Sequence, residues 1–249
     1  MNLTDLHPSL WRAHQLGGSS TQCVPSGFPP LDAQLPGGGW PSRNLIELLI
    51  KHHGIGELRF LMPCLRRLAL EKKAIVFIAP PFIPVPNVFE QYGVPTDRLI
   101  LIQTPKPLDK LWATEQIIQS DSFGATVIWL PEKTGEKALP PNSLRRLQYH
   151  ASRTSGLSFV FRPSVAQHNP SPATLRLVLT AHSPESLRIQ LLKRRGPVFD
   201  DPIYIDLPSP RAALPGLFSM PPEATEFNSP SSPEREHAMD RREHGLQGL

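Results

Sequence analysis

The sequence has few cysteines and no long apolar segment, and each absence excludes a class of protein. Its two cysteines, Cys23 and Cys64, form no CxxC pair, which argues against a disulfide framework and against a cysteine-ligated zinc site. No apolar run approaches the roughly 20 residues of a membrane-spanning helix, and Asp5 and His7 stand where a signal peptide would have its apolar core. We therefore expect a cytoplasmic protein without a membrane partner.

Metal-ligand spacing is also absent, because the nine histidines include no HExxH or comparable pattern. Proline, by contrast, is abundant: the 30 prolines among 249 residues exclude a helix bundle and predict many loops. Residues 208–249 carry four basic and six acidic side chains, a formal charge of −2, which leaves +6 on residues 1–207. We predict an N-terminal helix and linker over 1–24, one domain over 25–207, and a flexible Pro/Ser/charged tail over 208–249.

Short β-rich segments alternate with longer segments that can form helices, which is typical of a mostly parallel sheet covered by helices. We predict strands over 44–50, 74–79, 99–104, 125–130, 157–161, 175–180, 187–192 and 203–207. Helices are predicted over 56–70, 85–92, 107–120 and 142–154, with a short one at 6–16. The strand segments up to residue 161 are nearly all apolar and should be buried on both faces, whereas the last three alternate, as antiparallel edge strands do. The predicted fold class is α/β.

Several motifs occur in a fixed order between residues 25 and 60. They are Ser26-Gly27-Phe28, Leu31-Asp32, Leu35-Pro36-Gly37-Gly38-Gly39-Trp40-Pro41, and Gly54-Ile55-Gly56-Glu57-Leu58-Arg59 after a predicted strand. This order resembles the RecA-like ATPases, and in its details it resembles the ImuA family, the RecA-like accessory proteins of bacterial translesion synthesis. Segments 159–163, 171–177 and 191–196 match that family too, so the resemblance covers about residues 6–207 and implies a RecA-like core.

The resemblance places a degenerate P-loop at Lys51, Gly54, Gly56, Glu57 and Leu58. A working P-loop, GxxxxGK[ST], needs its lysine to neutralise phosphate and its hydroxyl to hold magnesium. Aligned on Gly56, the first glycine is Lys51, the lysine is Glu57 and the hydroxyl residue is Leu58. A carboxylate at the lysine position repels a triphosphate. We therefore expect a pseudo-ATPase with no catalytic residues and no bound cofactor.

Two further positions agree with that expectation. The segment 127–131, where a Walker B strand would end in an aspartate, has no carboxylate, and the nearest, Glu132, lies beyond a proline. The segment 78–82, where a RecA-like enzyme has its catalytic glutamate, has no acid either. Lys51 and its neighbours His52 and His53 either attract a phosphate or form a solvated basic loop, and the sequence leaves both open.

A second basic cluster, Lys193, Arg194 and Arg195, ends a predicted strand, where the i, i+2 spacing should place Lys193 and Arg195 on one face. The resemblance implies that this strand end faces a neighbouring subunit's nucleotide in filaments, while the alternative is a solvated hairpin end. We interpret the three cations as a contact for an acidic partner surface or for DNA phosphate. The stretches 131–141 and 162–172, which match the DNA-contacting loops of RecA-like proteins, lack aromatic interleaving, so direct DNA binding stays open.

The function that the resemblance implies is a noncatalytic accessory role in SOS-induced translesion DNA synthesis, that is, in damage-induced mutagenesis and DNA repair. Its implied partners are the ImuB-type polymerase homologue, the error-prone replicative-type DNA polymerase and the RecA filament. Two alternatives remain. One is an ATP-binding recombination regulator that uses Lys51, the amides of 54–56 and Lys193 from a neighbour. The other is an SOS cell-division inhibitor of the SulA type, since such proteins are also shortened RecA-like relatives.

Overall fold

The computed structural model describes residues 22–104, 106–130, 142–197 and 199–209, which excludes the predicted helix at 6–16, the stretch 131–141 and the tail beyond residue 209. The strands are β1 Cys23–Val24, β2 Trp40–Pro41, β3 Leu45–Ile50, β4 Ile75–Ile78, β5 Leu99–Ile102, β6 Ala125–Trp129, β7 Leu157–Pro163, β8 Leu175–Ser183, β9 Ser186–Lys193 and β10 Ile203–Asp206. The α-helices are α1 Pro29–Asp32, α2 Glu57–Leu70, α3 Pro86–Gln91, α4 Pro107–Ser120 and α5 Ser143–Ala151, with 3₁₀ turns at Thr96–Arg98 and Ser164–His168.

Strands β3 to β10 form one 8-stranded sheet in the order β10-β9-β8-β3-β7-β6-β4-β5. The strands from β8 through β3, β7, β6 and β4 to β5 are parallel, and β9 runs antiparallel between β8 and β10. The first strand of this sheet, β3, thus lies between β7 and β8, so its two neighbours come from the second half of the chain. The α/β class with a mostly parallel sheet and antiparallel edge strands is confirmed.

Helices cover both faces of the parallel part of the sheet. Successive strand residues enter opposite layers: on β6, Val127 packs in the cluster that holds Phe60 of α2, whereas Ile128 packs in the cluster that holds Leu111 of α4 and Leu147 of α5. Strands with two buried faces favour apolar side chains at most positions, which explains the nearly continuous apolar runs. Helix α2 buries Leu61 and its neighbours at helical spacing, as predicted.

The prediction that the segment at 99–104 is buried on both faces is wrong. Strand β5 pairs with β4 and forms an edge of the sheet within the described chain, and Ile100 and Leu101 are 46% and 42% exposed. An edge strand has a neighbour on one side alone, so an apolar run does not guarantee burial. The alternating segments behave as predicted, because Leu177 and Ile189 face the core and Thr180 faces solvent.

Within the described residues, no helix is both long enough and apolar enough to cross a bilayer.

Candidate binding site at the carboxyl end of the sheet

The loop between β3 and α2 occupies the place of the predicted P-loop. Gly54 and Gly56 have φ values of 82° and 95°, in the left-handed region that favours glycine. A Cβ on Gly56 would lie 2.4 Å from Cδ1 of Leu207, so this glycine also allows the end of the domain to pack on the loop. Lys51, at the loop's start, is exposed. The loop is therefore shaped by two glycines and closed from one side by Leu207.

Glu57, the first residue of α2, turns its carboxylate back into this loop. The backbone N–H of Gly54 donates to both carboxylate oxygens, at 3.0 Å to Oε1 and 3.1 Å to Oε2. His53 Nδ1 lies 3.9 Å from Oε1, and Glu57 is 7% exposed. An anion at the first turn of a helix is favoured by the helix dipole. The loop thus holds its own anion where the backbone amides of a working P-loop hold a phosphate.

The other altered position, Leu58, packs partly buried against the core and has no hydroxyl to offer a metal ion.

On the outer side of α2, the guanidinium of Arg59 donates to the carbonyl oxygen of Pro208 at 3.1 Å and to that of Pro184 at 3.1 Å. The hydroxyl of Tyr92 donates to the same Pro208 oxygen at 3.2 Å. These bonds fix the end of the described chain across the first turn of α2.

A cavity of about 440 Å³ opens beside the loop, where β3, β4, β6 and β7 end. Crevices at the carboxyl ends of parallel strands are the usual ligand sites of open α/β sheets. Its cationic or basic side chains are Lys51, His52, His53, Lys110 and Arg162, and among the described residues that line it none is acidic. The remaining lining residues are apolar.

Trp129 lines this cavity at the end of β6, in the segment where the resemblance places a Walker B aspartate. Its ring stacks on Phe161, with ring centroids 5.2 Å apart, and the residue is 6% exposed. The indole Nε1 has no hydrogen-bond acceptor within the described part of the chain. Ala79, within the segment 78–82 where the resemblance places a catalytic glutamate, has a left-handed φ of 49°. Among the described lining residues, the cavity therefore contains a buried donor and no carboxylate or hydroxyl side chain for magnesium.

Sequence reasoning missed a buried ion cluster at the centre of the sheet. Glu47 of β3 is 0% exposed, and its carboxylate lies 2.5 Å from Arg162 Nη1 of β7 and also contacts Nε of Arg176 on β8. Arg176 Nη2 donates to the carbonyl oxygen of Ala166 at 2.8 Å, which ties the 3₁₀ turn to the sheet. The available signal was a single glutamate within an apolar strand, since a buried acid needs cationic partners.

This cluster also changes the interpretation of residues 162–172. Arg162, the arginine of that predicted DNA-contacting stretch, is 6% exposed and bound to Glu47, so it does not project from the surface.

The prediction that Lys193 and Arg195 share one strand face is wrong, because β9 ends at Lys193. Lys193 Nζ donates to the carbonyl oxygen of Ser171 at 2.9 Å. Arg194 turns inward, contacts the carbonyl oxygen of Gln34, and places its guanidinium 5.4 Å from the ring centroid of Phe199. Arg195 is exposed. Lys193 and Arg194 therefore bind different parts of the chain.

The first motif of the sequence has a structural role. The carboxylate of Asp32 accepts the N–H of Ser26 at 2.9 Å, and the Ser26 hydroxyl oxygen accepts the N–H of Phe28 at 3.1 Å. Gly27 has a φ of 91°, and a Cβ there would lie 2.3 Å from Cβ of Pro63 on α2. This segment thus anchors the start of the domain against α2.

A second cavity, of about 360 Å³, lies at the opposite, amino-terminal ends of β3, β4, β6 and β7. Its charged side chains are Arg67, Glu71 and Lys73, and Glu71 bonds to both cations, at 3.4 Å to Arg67 and 2.8 Å to Lys73. Cys23 also lines this cavity, and its partial burial raises the pKa of its thiol.

No family model matches the chain. The chain is 23% identical over 117 residues to the cell division inhibitor SulA of Serratia marcescens, and 22% identical over 117 residues to the cell division inhibitor SulA of Serratia proteamaculans. Each alignment covers 47% of this chain and 66% of the relative. The chain thus spans just under two thirds of the length of the curated relatives it matches, and the similarity to them is distant.

Proposed function

We propose that this protein is a noncatalytic RecA-like accessory protein of the SOS response that acts in translesion DNA synthesis. The observation that carries the proposal is the carboxylate of Glu57, which accepts the N–H of Gly54 inside the loop where a RecA-like ATPase binds phosphate. A carboxylate held there repels a triphosphate. Leu58 and Trp129 stand where a magnesium site would need a hydroxyl and a carboxylate.

A RecA-like fold that does not cycle ATP still offers subunit-type surfaces to other proteins. The proposed partners are the ImuB-type polymerase homologue, the error-prone replicative-type DNA polymerase and the RecA filament. The sequence resemblance to the ImuA family supports these partners, and the distant similarity to SulA supports a connection to the SOS response. In this role the protein bridges its partners and performs no chemistry of its own.

Calorimetric titration with ATP and magnesium tests the noncatalytic part of the proposal. We expect no binding heat from the wild-type chain. The double variant Glu57→Lys/Leu58→Thr restores two P-loop side chains and serves as the matched comparison. Micromolar binding by the wild type would contradict the proposal and favour the ATP-binding recombination regulator.

The similarity to two SulA proteins favours a second candidate, an SOS cell-division inhibitor. Pull-down with the purified full chain separates the two candidates. Capture of the ImuB-type polymerase homologue supports the translesion role. Capture of the division GTPase without any polymerase-related protein would replace it with the inhibitor.

A further inference from the structure

We propose that the cavity at the carboxyl end of the sheet binds a peptide segment of a partner protein, and that this segment carries a carboxylate next to an apolar side chain. The inference rests on the proposed scaffold function, for which it supplies the chemistry of one contact. It assigns the contact to the cavity rather than to the Lys193 end of the hairpin.

The charges of the cavity select an anion. Lys51 and His53 of the loop, Lys110 of α4 and Arg162 of β7 line it from three different segments of the chain, and the described lining residues include no acid. Arg162 is 6% exposed, so its guanidinium is held in place by packing and by Glu47. A partly enclosed site lined by cations strengthens the attraction for a ligand's negative charge.

Trp129 adds an observation that is independent of charge. Its Nε1–H is a donor, the residue is buried, and the described chain provides no acceptor for it. Buried indole donors usually have a partner in folded proteins, so this donor favours a ligand that brings an oxygen acceptor. A carboxylate has two acceptor oxygens and can meet a cation and the indole together.

The walls of the cavity favour a peptide over a nucleotide or a nucleic-acid backbone. The amide of Gly54, which would hold a phosphate, is occupied by Glu57. The non-cationic lining is apolar, and the neighbouring Phe82 and Ile83 are each 72% exposed, with the Phe82 ring 6.5 Å from that of His53. Phosphate backbones are bound through polar and charged contacts, whereas apolar walls with a few polar groups suit a side chain from a partner.

The test is a titration of the ¹⁵N-labelled full chain, followed by NMR at the indole resonance of Trp129. The chain has four tryptophans, and the resonance is assigned by its loss in Trp129→Phe. The probe is the dipeptide N-acetyl-phenylalanyl-glutamate amide, and the matched probe is its glutamine analogue. We expect a saturable downfield shift with the glutamate probe and about tenfold weaker binding of the glutamine probe, because a charge-assisted hydrogen bond is lost.

Variants locate the site on the protein. The double variant Lys51→Gln/Lys110→Gln should weaken binding of the glutamate probe about tenfold. Lys72→Gln removes an exposed cation outside the cavity and should leave it unchanged. Equal affinity of the two dipeptides, no saturable shift at Trp129, or equal effects of the lysine variants would overturn the proposal.

Competition identifies the class of ligand. Inorganic phosphate that shifts the Trp129 resonance as strongly as the dipeptide would replace the peptide with a free oxyanion. ATP with magnesium, or an oligothymidylate, that displaces the dipeptide would replace it with a nucleotide or a nucleic acid. Each of these results overturns the peptide assignment.

The failure of this inference is distinguishable from the failure of the proposed function. If Lys51→Gln/Lys110→Gln loses the dipeptide but still captures the ImuB-type homologue as the wild type does, the cavity is not the contact and the scaffold role stands. If the wild type captures no polymerase-related protein, the scaffold role fails, and the dipeptide titration still decides whether the cavity binds a carboxylate.

Discussion

Two cavities of similar size lie at opposite ends of the same parallel strands, and their charges are arranged differently. At the amino-terminal end, Glu71 accepts hydrogen bonds from Arg67 and Lys73, so the charged groups of that cavity bind one another. At the carboxyl end, Lys51 and Lys110 line a cavity whose described lining residues include no acid. A site whose charges are already paired has little to offer a ligand, whereas unbalanced charge is typical of binding sites.

Two acids near the cationic cavity, Glu47 and Glu57, are already bound by other groups. Glu47 lies beneath the sheet surface and binds Arg162 and Arg176, and Glu57 binds the amide of Gly54. Since the single carboxylate of Glu47 is shared by two arginines, this cluster retains excess positive charge beside the cavity.

The largest effect is expected from Glu47→Ala. The substitution leaves the buried guanidiniums of Arg162 and Arg176 without their shared carboxylate, and breaking a buried ion pair in this way costs about 3–5 kcal/mol of unfolding free energy. Urea denaturation followed by circular dichroism measures it. Arg98→Ala is the control: it breaks a 3.1 Å pair with Asp97, and the two side chains are 38% and 65% exposed, so a loss below about 1 kcal/mol is expected. Equal losses of unfolding free energy in the two variants would show that burial does not set the cost of breaking these ion pairs.

The next effect is expected from Gly56→Ala. The new Cβ would take a left-handed φ of 95° and lie 2.4 Å from Cδ1 of Leu207, which together should cost about 2–3 kcal/mol. Gly54→Ala is matched, because its φ is 82° and nothing lies within 4 Å of its Cβ position, so strain alone should cost about 1 kcal/mol. Thermal unfolding of both variants gives the difference. If the two are equally stable, Leu207 does not pack on the loop as described.

A smaller effect is expected from Glu57→Gln. The amide oxygen can still accept from the N–H of Gly54, but the favourable charge at the first turn of α2 is lost, for a cost of about 0.5–1 kcal/mol. Because this variant removes the anion from the loop, its affinity for inorganic phosphate should rise above that of the wild type, which calorimetry detects. Unchanged phosphate affinity would show that Glu57 does not govern access to the loop amides.

The smallest effect is expected at the amino-terminal cavity. The hydrogen bond from Lys73 holds the pKa of Glu71 below its usual value, so this pair stabilises the fold above the ordinary pKa of a glutamate and the contribution is lost as the pH falls through the lowered pKa. The Glu71 side chain is 43% exposed, so Glu71→Gln should cost less than about 0.5 kcal/mol at neutral pH. Denaturation of both proteins at neutral and acidic pH measures the difference, which should shrink in acid. If the difference in unfolding free energy between the wild type and Glu71→Gln grows in acid, the Glu71 carboxylate does not stabilise the fold through its charge.

Local patterns in the sequence predicted the α/β class and the position of the glycine loop, since apolar runs, alternation and Gly54 with Gly56 are signals within a few residues. They could not predict the partners of Glu47, which are 115 and 129 residues away along the chain. Local patterns also could not show that β5 lies at an edge of the sheet, because the order of the strands depends on pairing between distant segments. The sequence showed that a glutamate, Glu57, stands at the P-loop lysine position. The structure was needed to show that its carboxylate accepts the N–H of Gly54.

The position of β3 has a consequence for biosynthesis. Residues 45–50 leave the ribosome early, yet β3 pairs with β7 at 157–163 and with β8 at 175–179. Until more than half of the chain has been made, the central strand of the sheet has neither neighbour, and its apolar side chains have no completed core to enter. Folding dominated by such non-local pairing is slow and exposes strands to aggregation. We therefore expect nascent chains stalled before residue 157 to be protease-sensitive across β3, and chains extended beyond residue 209 to be protected there.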